Sequence, residues 1–98
     1  MIRMLVVVQT AISLGIGEQV FLTGAPDELG RWNPAAVPMT RMDDNRWEAI
    51  LSLRTADPFE FKITRGTWES EEADAQGRLL ANRRLAPVDQ GTAEFRVE

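Results

Sequence analysis

Hydrophobic and polar residues alternate strictly through the middle of the chain. Over residues 46–53 the apolar positions are Trp47, Ala49, Leu51 and Leu53. The alternation recurs over 59–65, where Lys62 falls on the polar side and the phenylalanines and the isoleucine fall on the other. A period of two is typical of a strand with one buried face. The pattern therefore predicts two strands and places Trp47 in the core.

Shorter apolar runs, separated by turn residues, predict the remaining strands. We expect these strands over residues 4–13, 18–24, 36–40, 79–85 and 92–97. Glycine, proline, asparagine and aspartate fill the intervals between them. About seven short strands with such turns indicate an all-β antiparallel sandwich or barrel, and a chain of 98 residues fits a two-layer sandwich. We expect a single domain from residue 1 to residue 98.

Composition narrows the possible functions. The chain has neither cysteine nor histidine, which excludes thiolate nucleophiles, histidine-based triads and zinc sites built on sulfur or imidazole. The net charge of −4 disfavours nucleic acid and membranes as partners, but it does not disfavour a neutral sugar. The apolar run at residues 5–8 is too short for a signal peptide or a membrane span, so we interpret it as part of a strand.

The other two tryptophans fall outside the alternating segments. Trp32 lies in a loop, residues 29–34, that is rich in glycine and proline, and Trp68 follows Gly66 and precedes an acidic stretch. Loops run over the surface and often carry function. Taken singly, each indole is as consistent with packing at the rim of the core as with an exposed binding platform.

Two loop tryptophans together favour a sugar ligand. The C–H face of a sugar ring is apolar and stacks on a flat indole, while neighbouring polar side chains bind its hydroxyl groups. Each indole would contribute roughly 2–3 kcal/mol at about 25 cal/mol per Å². After the costs of association, such a site binds weakly, in about the micromolar to millimolar range.

Several motifs occur in a recognisable order. They are VFLTG at 20–24, LGRWNP at 29–34, Trp47, FEFK at 59–62, WE at 68–69 and NR at 82–83. In this order and spacing the chain resembles, over about residues 18–85, the family-20 carbohydrate-binding modules, which are the starch-binding domains of amylolytic enzymes. The resemblance implies an immunoglobulin-like antiparallel β-sandwich of seven to eight strands.

The resemblance also implies one principal glucan site. Its stacking residues correspond here to Trp32 and Trp68, and its hydroxyl-binding residues correspond to Lys62 and Asn82. The resemblance places Glu69 beside the site. The alternation over 59–65 agrees with this placement, because Lys62 points away from the apolar face of its strand.

The chain departs from the family pattern in two ways. Many members have a second site built from tyrosines, whereas this chain has no tyrosine and no aromatic residue near 15–17 or 42–45. We therefore expect one site, or a weakened second one. The other departure is the length of segment 70–81, which is only a few residues in most members. This longer segment leaves the position of Asn82 open.

These observations predict a non-catalytic module for starch- or glycogen-type α-glucan, including maltooligosaccharides and cyclodextrins. It would tether a linked catalytic domain and would need no metal or cofactor. The alternative is an immunoglobulin-like interaction or spacer domain of a larger enzyme that no longer binds sugar. A small enzyme using Glu48, Glu60 or Glu69 is disfavoured, because such carboxylates on strands usually face solvent. We expect the acidic residues 69–74 to form a solvated turn rather than a calcium site.

Overall fold

The computed structural model describes residues 1–73 and 80–97, and within them the chain forms two packed β-sheets. The strands are β1 (Ile2–Thr10), β2 (Phe21–Gly24), β3 (Val37–Pro38), β4 (Thr40–Arg41), β5 (Arg46–Leu53), β6 (Phe59–Thr64), β7 (Arg83–Leu85) and β8 (Thr92–Val97). Sheet 1 has the order β4-β5-β1-β8, and sheet 2 has the order β3-β2-β6-β7. This arrangement confirms the predicted all-β sandwich.

The two terminal strands pair in parallel. In sheet 1, β8 runs beside β1 from Leu5 opposite Thr92 to Thr10 opposite Val97. Every other strand pair in the described ranges is antiparallel. Antiparallel pairing thus dominates both sheets, as predicted, and β1 with β8 is the parallel pair within the described residues. A parallel pair needs a long crossover connection, and almost the whole chain separates these two strands.

The inner faces of the two sheets form the core. Its buried residues are Met4, Val6, Val8, Val20, Leu22, Leu29, Met39, Trp47, Leu51, Leu53, Phe61, Ile63 and Leu85. Trp47 is only 2% exposed and lies opposite Val8 of β1, which confirms its predicted core position. The guanidinium of Arg41 lies 5.3 Å from the centre of its ring. The indole N–H of Trp47 has no hydrogen-bond partner among the described residues.

Some predicted boundaries differ from the structure. The first strand ends at Thr10 rather than at residue 13, and β7 begins only at Arg83. Two short 3-10 helices, Asp27–Trp32 and Trp68–Ser70, occupy segments expected to be loops. No helix within the part of the chain that the structure describes is long and apolar enough to cross a membrane.

The outer faces of the two sheets differ. On sheet 1 the outer face carries the exposed Ile50 and charged pairs such as Arg46 and Glu48, whose nitrogen and oxygen are 2.8 Å apart. On sheet 2 three polar residues on the outward side, Thr23, Lys62 and Thr64, are buried. Loops therefore cover this face of sheet 2, and these loops carry Trp32 and Trp68.

Candidate functional site

The segment that connects β2 to β3, residues 25–36, carries Trp32 and is called the Trp32 loop below. Two buried threonines attach it to sheet 2. The hydroxyl of Thr23 donates to the carbonyl of Leu29 at 3.5 Å, and the hydroxyl of Thr64 donates to the carbonyl of Pro34 at 2.5 Å. Buried hydroxyls need hydrogen-bond partners, and here the loop backbone supplies them. The two bonds hold the residues on either side of Trp32.

The backbone at Trp32 has an uncommon conformation. Gly30, Arg31 and Trp32 have φ values of 76°, 50° and 70°. The left-handed region suits glycine but is uncommon for larger residues, and such strain persists only where the surroundings enforce it. A Cβ at Gly30 would overlap the Cβ of Ala36. This bend turns the chain and sets the direction of the Trp32 indole.

An ion-pair network ties the same loop to sheet 1. Arg54, directly after β5, approaches Asp27 at 2.9 Å and Glu28 at 3.5 Å. The backbone N–H of Arg54 also donates to the carboxylate of Glu28 at 2.9 Å. That backbone bond is the main cause that lowers the pKa of Glu28, and the Arg54 guanidinium adds to it. The first turn of the Trp32 loop is thus held from both sheets.

Trp68 begins a single 3-10 turn just after β6. Thr67 and Ser70 close this turn reciprocally, since the backbone N–H of Thr67 donates to the Ser70 hydroxyl at 3.2 Å and that hydroxyl donates to the Thr67 carbonyl at 2.8 Å. The Trp68 side chain is 41% exposed. It is therefore presented to solvent on a fixed turn.

The structure brings the two loop tryptophans together. The ring centres of Trp32 and Trp68 are 6.4 Å apart, and their planes are inclined by 41°. Trp32 is half-buried. The two rings therefore lie next to each other at an angle.

Lys62 lies beneath this region and is largely buried. Its ammonium group is 3.0 Å from a carboxylate oxygen of Glu71, and it also donates to the carbonyl of Leu80. A lysine ammonium has three donors, so at most one is left for a ligand. Lys62 thus faces the predicted side of its strand, but it is tied to the segment that follows Trp68.

Asn82 and Glu69 are both exposed. Asn82 directly precedes β7 and comes two residues after Leu80, whose carbonyl is held by Lys62. Glu69 follows Trp68 within the 3-10 turn. Of the long segment 70–81, residues 74–79 lie outside the described residues.

The expectation of a solvated acidic turn is wrong for Glu71 and Glu72. Glu71 pairs with Lys62, and the Glu72 side chain is 0% exposed, with both oxygens on Arg83 at 2.7 and 2.6 Å. Arg83 also donates to the carbonyl of Arg96. One feature of the sequence could have indicated these two separate ion pairs. Glu71 and Glu72 are adjacent, and adjacent side chains in extended backbone point to opposite sides. Within the described ranges, no cluster of three acidic groups is placed to hold a metal ion.

Comparisons with known proteins show the family and the fold. A family model described as "Starch binding domain" matches residues 3–92. An amylopullulanase of Thermoanaerobacterium thermosulfurigenes is 36% identical over 67 residues, and an alpha-amylase of Niallia circulans is 34% identical over 71 residues. These matches cover 67% and 70% of this chain, but only 4% and 5% of the two relatives.

Solved structures share the fold. The family 20 module of a maltotetraose-forming amylase from Pseudomonas saccharophila STB07 superposes with a TM-score of 0.70 at 16% identity, over 97% of this chain and 99% of that one. A gamma-CGTase from alkalophilic Bacillus clarkii gives a TM-score of 0.69 at 27% identity, over 98% of this chain and 15% of that one. The sandwich therefore matches an isolated module and one region of a much longer chain.

Proposed function

Because the chain belongs to the starch-binding domain family, we propose that it binds α-1,4-linked glucan on the paired indoles of Trp32 and Trp68. Carbohydrate binding is the function of this family. The observation that carries the proposed site is the angled pair of rings, 6.4 Å apart and inclined by 41°. Successive glucose units of an α-1,4 chain turn steadily, so two inclined surfaces fit two neighbouring units better than one flat surface does.

Polar groups around the indoles complete the proposed site. Asn82 and Glu69 are exposed and can exchange hydrogen bonds with sugar hydroxyls. Lys62 has at most one donor left for a hydroxyl, since Glu71 and Leu80 occupy the others. We therefore assign most of the binding free energy to stacking and the choice of sugar orientation to Asn82 and Glu69.

We also propose that the module is non-catalytic and works as part of a longer amylolytic protein. The relatives are named as an amylopullulanase and an alpha-amylase, and this chain spans only 4% and 5% of them. Weak individual sites suit this role, because an insoluble polymer offers many sites and multivalency raises the avidity. Starch, glycogen and cyclodextrin all present the same linkage to such a site.

The direct test is a titration of the protein with β-cyclodextrin, followed through the three indole N–H signals in NMR spectra. We expect saturable shifts for Trp32 and Trp68 and little change for the buried Trp47. Cellohexaose, which has the same sugar unit with β-1,4 linkages, is the control ligand. Absence of saturation at millimolar β-cyclodextrin would contradict the proposal and favour an interaction or spacer domain.

A further inference from the structure

One ammonium group joins the two chain segments that border the proposed site. Lys62 on β6 pairs with Glu71, which comes three residues after Trp68, and donates to the carbonyl of Leu80, two residues before Asn82. The segments leading away from Trp68 and towards Asn82 are therefore fastened to the same side chain. Both acceptors belong to the long segment 70–81.

Both side chains of the Lys62–Glu71 ion pair are largely shielded from solvent. The Lys62 side chain is 8% exposed and that of Glu71 is 14% exposed. A buried charge is tolerated only when it is paired, and removal of one partner leaves the other uncompensated. This contact therefore differs from the exposed ion pairs of the Trp32 loop, which contribute little individually.

Glu71 is held in a defined direction by its neighbour. Glu72 binds Arg83 at the adjacent edge of the sheet, and its backbone N–H donates to the carbonyl of Ile63 at 2.9 Å. Since Glu71 has extended backbone, with φ −62° and ψ 154°, its side chain points away from that of Glu72. The segment after Trp68 is thus fixed at two successive residues, with Glu71 on the side of Lys62.

We propose that Glu71 is a positioning residue for the glucan site, acting through Lys62. Its carboxylate fixes the ammonium group and thereby holds the Trp68 turn and the approach to Asn82 in their binding arrangement. The inference rests on the proposed glucan binding. It gives part of segment 70–81 a role in that binding without direct contact with sugar.

The test compares Glu71→Gln with the control Glu60→Gln, which removes an exposed carboxylate from the same strand as Lys62. β-Cyclodextrin affinity is measured under conditions in which each variant is shown to be fully folded. We expect Glu71→Gln to bind about fivefold to tenfold more weakly, as is typical of coupled neighbours, and Glu60→Gln to bind like the wild type. The Trp68 indole N–H signal of the free protein should move only in Glu71→Gln.

Two further variants separate positioning from a purely structural role. Glu71→Asp keeps the charge and should restore part of the affinity. In the Lys62→Met background, Glu71→Gln should cause no further loss, because its partner is already absent. The double variant contains no unpaired buried charge, so it also serves if Glu71→Gln alone does not fold. A displaced Trp68 signal in the double variant would then support the proposal, whereas weakened binding alone would not, because Lys62 itself belongs to the predicted site.

The outcomes distinguish the two proposals. No saturation by the wild type would overturn glucan binding itself, and the Trp68 signal would still report whether Glu71 positions the turn. Saturation by the wild type with unchanged affinity and an unmoved Trp68 signal in folded Glu71→Gln would overturn the role of Glu71. Wild-type affinity in the double variant would overturn it as well.

Discussion

The three tryptophans occupy two contrasting regions of the molecule. Trp47 lies on β5 with its ring between the sheets, 2% exposed, whereas Trp32 and Trp68 lie on loops outside sheet 2 with their rings against each other. The same residue type is thus part of the core in one region, and in the other it is half-buried at Trp32 and exposed at Trp68.

The difference arises from what holds each indole. Trp47 is placed by strand alternation and by packing against apolar neighbours such as Val8. Trp32 is placed by a left-handed backbone and by hydrogen bonds from Thr23 and Thr64 to its loop. Hydrophobic packing fixes the first region, while buried polar contacts fix the loop of the second.

The largest expected effect is that of Trp47→Ala. Removing this ring should cost about 3–5 kcal/mol of unfolding free energy, because a cavity would remain between the sheets. Urea unfolding measures the loss. Trp47→Phe is the matched control and should cost clearly less, since it keeps an aromatic ring and removes an indole N–H that lacks a partner in the described structure. A loss below about 1 kcal/mol for Trp47→Ala would contradict its core role.

The second effect concerns binding rather than stability. Trp68→Ala should weaken β-cyclodextrin binding by about 2 kcal/mol, roughly thirtyfold, while changing the unfolding free energy by less than about 1 kcal/mol. Isothermal calorimetry and urea unfolding measure the two quantities. Ile50→Ala, which removes an exposed apolar side chain from sheet 1, is the control and should leave binding unchanged. If Trp68→Ala only destabilised the fold, the division into two regions would fail.

Gly30→Ala is expected to lower the free energy of unfolding less than Trp47→Ala does. The new Cβ would meet Ala36 at a positive φ, so we expect a loss of about 1–3 kcal/mol and weaker sugar binding through a displaced Trp32. Gly17→Ala is the control, because Gly17 also has a positive φ but no heavy atom within 4 Å of the added Cβ. It should be destabilised less and should bind normally. Equal effects of the two variants would contradict the close contact at Gly30.

The smallest effect is electrostatic and concerns Glu28. Its pKa is lowered mainly by the backbone N–H of Arg54, so its contribution to stability is present above the unfolded-state pKa and is lost as the pH falls through the folded-state value. An NMR titration of the carboxyl carbon should show a midpoint below the ordinary range. Arg54→Ala, which keeps the backbone donor, should return the midpoint only part of the way. A midpoint in the ordinary range would contradict the bond.

The sequence predicted the core region well because its signals are local. Alternation over 46–53 and 59–65 corresponds to β5 and β6, and Trp47 lies where the pattern placed it. The parallel pairing of β1 and β8 has no local signal, because it joins the two ends of the chain.

The second region was predictable only in part. The family motifs indicated Trp32 and Trp68 as candidate site residues. Periodicity alone could not show that their two rings lie next to each other. Gly30 signalled a turn, whereas nothing marked Arg31 and Trp32 as left-handed. The Lys62–Glu71 pair depends on how segment 70–81 returns to the sheet, which strand patterns do not encode.

The most direct measurement of the central claim is the set of intermolecular NOEs between maltoheptaose C–H protons and the indole protons of the protein. We expect contacts from both Trp32 and Trp68 to the faces of neighbouring glucose units, and none from Trp47. Contacts that fell on the outer face of sheet 1, with both loop indoles silent at saturation, would contradict the account.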